Sequence, residues 1–149
     1  MISFDKAVYS GEIDGYQYWI LPAPIENALN GYVFFPKRPT REYGYDGILT
    51  YVPVHGGITY AESYNGGMVY GFDTLHCDSD EYPRLDKKWL VSQCEVMIKG
   101  ILRAAEVEDK YLHCKTNKGK AKHCDYVMEV QPEMGQNFGV SINLLSGKL

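Results

Sequence analysis

Short apolar segments separated by turn residues dominate the first eighty positions of the chain. Residues 16–21 and 31–36 are apolar and aromatic, and a proline follows or closes each of them. Residues 58–62 and 67–73 form two similar segments around a Ser-Tyr-Asn-Gly-Gly turn signal. Such short β-rich segments between glycine and proline clusters are typical of an antiparallel sheet.

A fifth apolar segment, residues 47–55, alternates in the manner of a strand. Ile48, Val52 and Val54 fall on one face of the expected strand. Pro53 cannot donate a ladder hydrogen bond, so this strand is predicted at an edge or a bulge.

A helical pattern follows at residues 86–107. Leu90, Cys94, Met97 and Ile101 recur at helical spacing, and Asp86 is placed to cap the free amides of the first turn. A glycine inside this helix, Gly100, predicts close packing against the sheet.

The elements together predict an α+β fold, a mainly antiparallel sheet of short strands packed against one long amphipathic helix. We expect a single domain over residues 1–149, with its core at about residues 10–110. A lysine-rich loop and a C-terminal hairpin or extension are predicted for residues 111–149.

Charge and composition limit the classes of partner that we expect for this chain. The net charge of −4 and the absence of a basic stripe argue against nucleic acid, and the lysines between Lys115 and Lys122 are typical of a solvated loop. No segment has the apolar length of a membrane span or the pattern of a secretory signal. We therefore expect a cytoplasmic protein with reduced cysteines and no membrane partner. The aromatic content favours a homo-oligomer.

Two histidines carry the candidate chemistry. His55 ends the expected strand 47–55, and Gly56 and Gly57 behind it would leave the imidazole over an open space and expose backbone amides. Asp73 ends the segment 67–73, and His76 follows three residues later. His55 and His76 suit general acid–base catalysis with Asp73 as the orienting carboxylate.

Metal chemistry is the less favoured interpretation of these residues. The same histidines and carboxylates could hold a divalent ion, but their spacing matches no common ligand motif. The His-Cys pairs at 113–114 and 123–124 do not form a Cys-x-x-Cys zinc site. We expect no metal and no cofactor.

Aromatic and basic side chains surround the two histidines in sequence. Tyr51, Tyr60 and Tyr70 could stack on a base or another flat ring. Arg38 and Arg41, in the loop after residue 36, could clamp a phosphate. Ordinary core packing for the tyrosines and solvent exposure for the arginines are the alternatives.

The motifs GYVFFPKRP, VHGGITYAE and GFDTLHCDSD, followed by a helix, resemble a family of small bacteriophage and prophage proteins. The resemblance covers about residues 30–105. It implies that the site residues include His55, Gly56, Gly57, Thr59, Asp73 and His76. It also implies a viral protein in the cytoplasm of an infected bacterium, where such proteins antagonise immune signalling by binding or cleaving nucleotide messengers.

Three functions remain open from the sequence. The first is binding and sequestration of a nucleotide-derived molecule, such as a cyclic nucleotide or an ADP-ribose derivative. The second is hydrolysis of such a molecule by His55 and His76. The third is a structural or protein-binding role in which these residues only stabilise turns.

Overall fold

The computed structural model describes residues 2–24, 27–41, 44–75 and 85–116, with side chains described as far as residue 110. Its strands form one five-stranded antiparallel sheet in the order β1-β2-β3-β5-β4. A helix, α1 (Lys87–Thr116), packs on one face of this sheet. The strands are β1 (Tyr9–Ile13), β2 (Tyr16–Pro22), β3 (Leu29–Phe35), β4 (Tyr60–Tyr64) and β5 (Gly67–Phe72). The predicted α+β fold is confirmed.

Two tight hairpins join neighbouring strands. Asp14 and Gly15 link β1 to β2 with φ values of 53° and 86°, and Asn65 and Gly66 link β4 to β5 with 44° and 81°. Positive φ at both central residues matches the twist of the flanking strands, and Asx-Gly sequences adopt it readily. The second turn was predicted from the sequence. Strand β1 was not.

The prediction of a strand at residues 47–55 was wrong. Gly47–Tyr51 forms a 3-10 helix, and Val52 continues from it in an extended conformation. Ile48 and Leu49 are consecutive and both buried, which the alternating faces of a strand covered on one side do not allow. The segment instead packs beside α1, where Val52 contacts the position of Gly100.

The helix buries the stripe that its sequence predicted. Leu90, Cys94, Met97 and Ile101 are fully buried in the core between α1 and the sheet. The Asp86 carboxylate accepts the Trp89 amide at 3.1 Å, which confirms the predicted cap. The helix ends at Thr116 rather than near residue 107, so it occupies the start of the region predicted as a loop. The predicted C-terminal hairpin lies outside the described residues.

No helix in the described ranges is long and apolar enough to cross a membrane.

The close packing predicted at Gly100 occurs, but against the 3-10 segment rather than the sheet. A Cβ at this position would lie 2.6 Å from Val52 Cγ1. We expect Gly100→Ala to lower the free energy of unfolding by about 1 kcal/mol, since overpacking outweighs the gain in helix propensity. Urea denaturation measures this change. In a Val52→Ala background the same substitution should become neutral or stabilising, and an equal loss in both backgrounds would contradict the contact.

The opposite face of the sheet carries a second apolar cluster. Trp19, Leu21, Tyr32 and Val69 are buried there, and the N-terminal residues Ile2, Phe4 and Ala7 pack over them. A 3-10 turn at Phe4–Lys6 shapes this N-terminal segment. We call this surface the open face, because α1 covers the other one.

Candidate functional site

The candidate site lies on the open face, at the corner where β5 ends and β4 begins. We call it the tyrosine corner, after Tyr32 and Tyr60. Tyr60 of β4 and Tyr32 of β3 both face Gly71 of β5 in the strand register. Their rings meet edge to face, with centroids 5.4 Å apart and an interplanar angle of 90°. A Cβ on Gly71 would lie 2.5 Å from Tyr32 Cδ1, so glycine permits the close approach of the Tyr32 ring.

Polar groups surround this tyrosine pair. The Asp73 carboxylate accepts the Leu75 amide at 3.0 Å, which fixes the chain just after β5. The side-chain oxygen of Asn30 accepts the Thr74 amide at 3.3 Å. The Tyr60 hydroxyl donates a hydrogen bond to the Glu62 carboxylate. The corner therefore combines ring surface with two carboxylates.

The pKa of Tyr32 reports the electrostatics of the corner. Burial raises this pKa above its ordinary value of 10.0. The Asn30 side chain lowers it in part, and the negative charge of Asp73 raises it further. The phenol therefore stays neutral and remains a hydrogen-bond donor at physiological pH.

His55 lies on a turn five residues before Tyr60 in the chain. The sequence predicted its imidazole over an open space, but the side chain packs toward α1 instead. The Gly57 amide donates to the Val54 carbonyl at 2.8 Å, which closes the turn. The His55 amide donates to Gln93 Oε1 on α1 at 2.8 Å. Its ring is 5.2 Å from that of Trp89, and its Nε2 atom is buried.

This turn agrees with the conformational freedom predicted for Gly56 and Gly57, but not with the prediction that the Gly57 amide is exposed to a ligand. Both residues have positive φ, 71° and 80°, as glycine allows. However, the Gly57 amide is already engaged with Val54, so it cannot also donate to a phosphate. Thr59 donates its amide to the Gly71 carbonyl at 2.9 Å and thereby anchors the chain at the start of β4.

Two of the predicted aromatic residues are not on the open face. Tyr70 is fully buried under α1 and contacts Phe35 edge-on, so no face of its ring can receive a ligand. Burial raises the pKa of Tyr70 to about 12. Tyr51 ends the 3-10 helix and packs half-buried against the same core, which also raises its pKa. The alternation of β5 explains the position of Tyr70, because residues 70 and 71 face opposite sides of the sheet.

The predicted arginine clamp lies at the far end of the strands. Arg38 and Arg41 follow the end of β3, next to the start of β5, whereas Asp73 follows the end of β5. The Arg41 amide donates to the buried Glu108 carboxylate on α1 at 3.0 Å. The arginines follow the strand end at which β5 starts, and Gly71 at the tyrosine corner is four residues further along β5, about 13 Å at the usual rise per residue.

His76 lies outside the described residues, as do the carboxylates at positions 78 and 80. Within the described ranges, no group of three or more His, Cys, Asp or Glu side chains is arranged to hold a metal ion.

Comparison with family models, with curated proteins and with solved structures finds no match for this chain. Function must therefore be inferred from the residues that the fold assembles. Of the predicted residues, it brings together Thr59, Tyr60 and Asp73. It adds Asn30, Tyr32 and Glu62, which the sequence analysis did not single out.

Proposed function

We propose that the protein binds a nucleotide-derived small molecule at the tyrosine corner of the open face. The observation that carries this proposal is the Tyr32–Tyr60 ring pair, which the absence of a side chain on Gly71 permits. The carboxylates of Asp73 and Glu62 lie beside this pair. Aromatic rings stack on bases, and carboxylates accept hydrogen bonds from ribose hydroxyls and exocyclic amines. A nucleoside presents both kinds of group within one small molecule.

The charge distribution sets the orientation of this ligand. Two carboxylates at the corner, Asp73 and Glu62, disfavour a phosphate there. The base is therefore placed against Tyr60 and the sugar hydroxyls toward Asp73. The phosphates point away from both carboxylates.

Binding, rather than hydrolysis, is the function we favour. The His55 ring packs against Trp89, and its Nε2 atom is buried, which limits its use as a proton carrier for a ligand in solvent. The motif resemblance to bacteriophage proteins supports a role in sequestering a nucleotide signal of the host. A sequestering protein retains its ligand unchanged.

The test is a panel of cyclic and linear nucleotides, including cyclic dinucleotides and ADP-ribose derivatives. Purified protein is incubated with each compound, free ligand is removed, and the denatured protein fraction is analysed by liquid chromatography. We expect at least one compound to leave solution and to be recovered intact. A product formed by substoichiometric protein would identify a hydrolase instead, and no uptake of any compound would reject nucleotide binding.

Substitutions at the corner test whether it is the binding site. Asp73→Asn and Tyr60→Leu should each weaken the affinity for the compound so identified by about tenfold, through loss of a charged acceptor or of a stacking surface. Isothermal titration calorimetry measures the affinity. Glu12→Gln on β1 removes an exposed carboxylate away from the corner and should leave it unchanged. Equal losses in all three variants would mean that the corner is not the site.

A further inference from the structure

The N-terminal segment inserts an aromatic ring into a slot on the open face. The Phe4 ring stacks on Trp19, with centroids 3.9 Å apart and planes 17° from parallel. Tyr64 closes one side of the slot edge-on at 5.2 Å, and Tyr32 contacts Phe4 more remotely at 6.1 Å. Phe4 therefore takes the position that a flat ring stacked on Trp19 would occupy.

Among the described residues, apolar contacts hold the segment that carries Phe4 to the sheet. Ile2, Phe4 and Ala7 pack on the open face, while the polar residues between them are exposed. Within the described residues, the hydrogen bonds of residues 2–7 are made inside the segment, and the first bond to the sheet is from the Val8 amide to the Ile20 carbonyl at 2.8 Å. This segment can therefore leave the sheet without breaking a strand ladder.

We infer that the slot on Trp19 is a second binding site for a planar, uncharged ring such as a nucleobase, and that Phe4 occludes it. Displacing Phe4 exchanges one ring stack for another, so the occlusion acts by competition. An electron-poor purine stacks on indole in the same offset geometry as phenyl. The inference stands on the ring geometry at Trp19 and is separate from the ligand proposed for the corner, although Tyr32 borders both.

The same geometry explains why a small ligand is the appropriate occupant. The Phe4 ring stacks on Trp19 and meets the rings of Tyr64 and Tyr32 edge-on. A flat ring fills such a space, whereas a branched aliphatic side chain would not stack on Trp19.

The test follows the fluorescence of Trp19 during titration with adenosine. The chain has two tryptophans, so Trp89→Phe gives a parent in which Trp19 alone reports. Phe4→Ala in this parent should bind adenosine about tenfold more tightly, because the competing ring is gone. Phe34→Ala is the matched control, since Phe34 belongs to the same cluster but contacts Tyr64 rather than stacking on Trp19.

A second variant keeps the test independent of folding defects. Phe4→Leu retains apolar volume over the sheet but cannot stack, so it too should gain affinity for adenosine. No gain in either Phe4 variant, or an equal gain in Phe34→Ala, would overturn the inference. Adding Asp73→Asn separates the two sites: a gain in Phe4→Ala that persists there supports the Trp19 slot, even where the corner binds nothing.

Discussion

Replacing Gly31 with alanine should lower the free energy of unfolding by about 3 kcal/mol, the upper part of the range for overpacked cores. An added Cβ would lie 2.4 Å from Phe72 Cε1 and 2.9 Å from Cys94 Sγ. Phe72 and Cys94 are both buried, so neither can move aside without disturbing the contact between sheet and helix. Urea denaturation followed by circular dichroism measures the loss.

A glycine in open surroundings provides the control for this substitution. A Cβ on Gly44 would meet its nearest neighbour, Asp46 Oδ2, at 3.9 Å, an ordinary contact distance. Gly44→Ala should therefore change the free energy of unfolding by less than about 0.5 kcal/mol. Similar losses in Gly31→Ala and Gly44→Ala would show that α1 does not pack on β3 as described.

Alkaline pH should destabilise the protein through two buried acids. Burial raises the pKa of the Cys94 thiol from 9.0 to about 12, although a hydrogen bond with the Tyr32 backbone lowers it in part. Burial also raises the pKa of Tyr70 from 10.0 to about 12. A folded-state pKa above the unfolded value gives stability that is complete below the unfolded pKa and falls as pH rises toward the folded pKa. Once the pH exceeds the folded-state pKa values, we expect the free energy of unfolding to have fallen by about 4 kcal/mol through Cys94 and by about 3 kcal/mol through Tyr70.

Urea midpoints measured from pH 8 to pH 12 test this pH dependence. Cys94→Ala should remove the part of the decline that begins near pH 9. Tyr70→Phe should make the decline above pH 10 shallower but not abolish it, because burial also raises the pKa of Tyr32 and Tyr51. The slope with pH is the readout, because each substitution also changes packing at neutral pH. An unchanged slope in both variants would mean that neither group is buried in its neutral form.

The sequence was sufficient to predict elements whose apolar periodicity is strong. The stripe of α1 and the segments that became β2, β3 and β5 have unbroken patterns. The segment 47–55 was misleading because its apolar residues alternate over a stretch too short to distinguish a strand from a 3-10 turn followed by extended chain. Strand β1 has few apolar residues, but the Asp14–Gly15 pair was a hairpin signal that could have located it.

The candidate site was predictable only in part, for a similar reason. Asp73 and Tyr60 stand out as polar or aromatic residues at strand ends. Tyr32 appears in sequence as one more aromatic residue of an apolar strand, and its role depends on the register that sets it against Gly71. Tyr70 looked equivalent to Tyr60, but the parity of β5 puts it under α1. Register and face are set by pairing between strands distant in the sequence.

The measurement that tests the proposed site most directly is the amide chemical shift map of the ¹⁵N-labelled protein during titration with adenosine, ADP-ribose and cyclic nucleotides. We predict that shifts concentrate at Tyr60–Glu62 and Gly71–Asp73, and that the amides of Lys37 and Arg38 at the far end of β3 stay unchanged. Shifts confined to that far end, or no shifts with any of these compounds, would contradict nucleotide binding at the tyrosine corner.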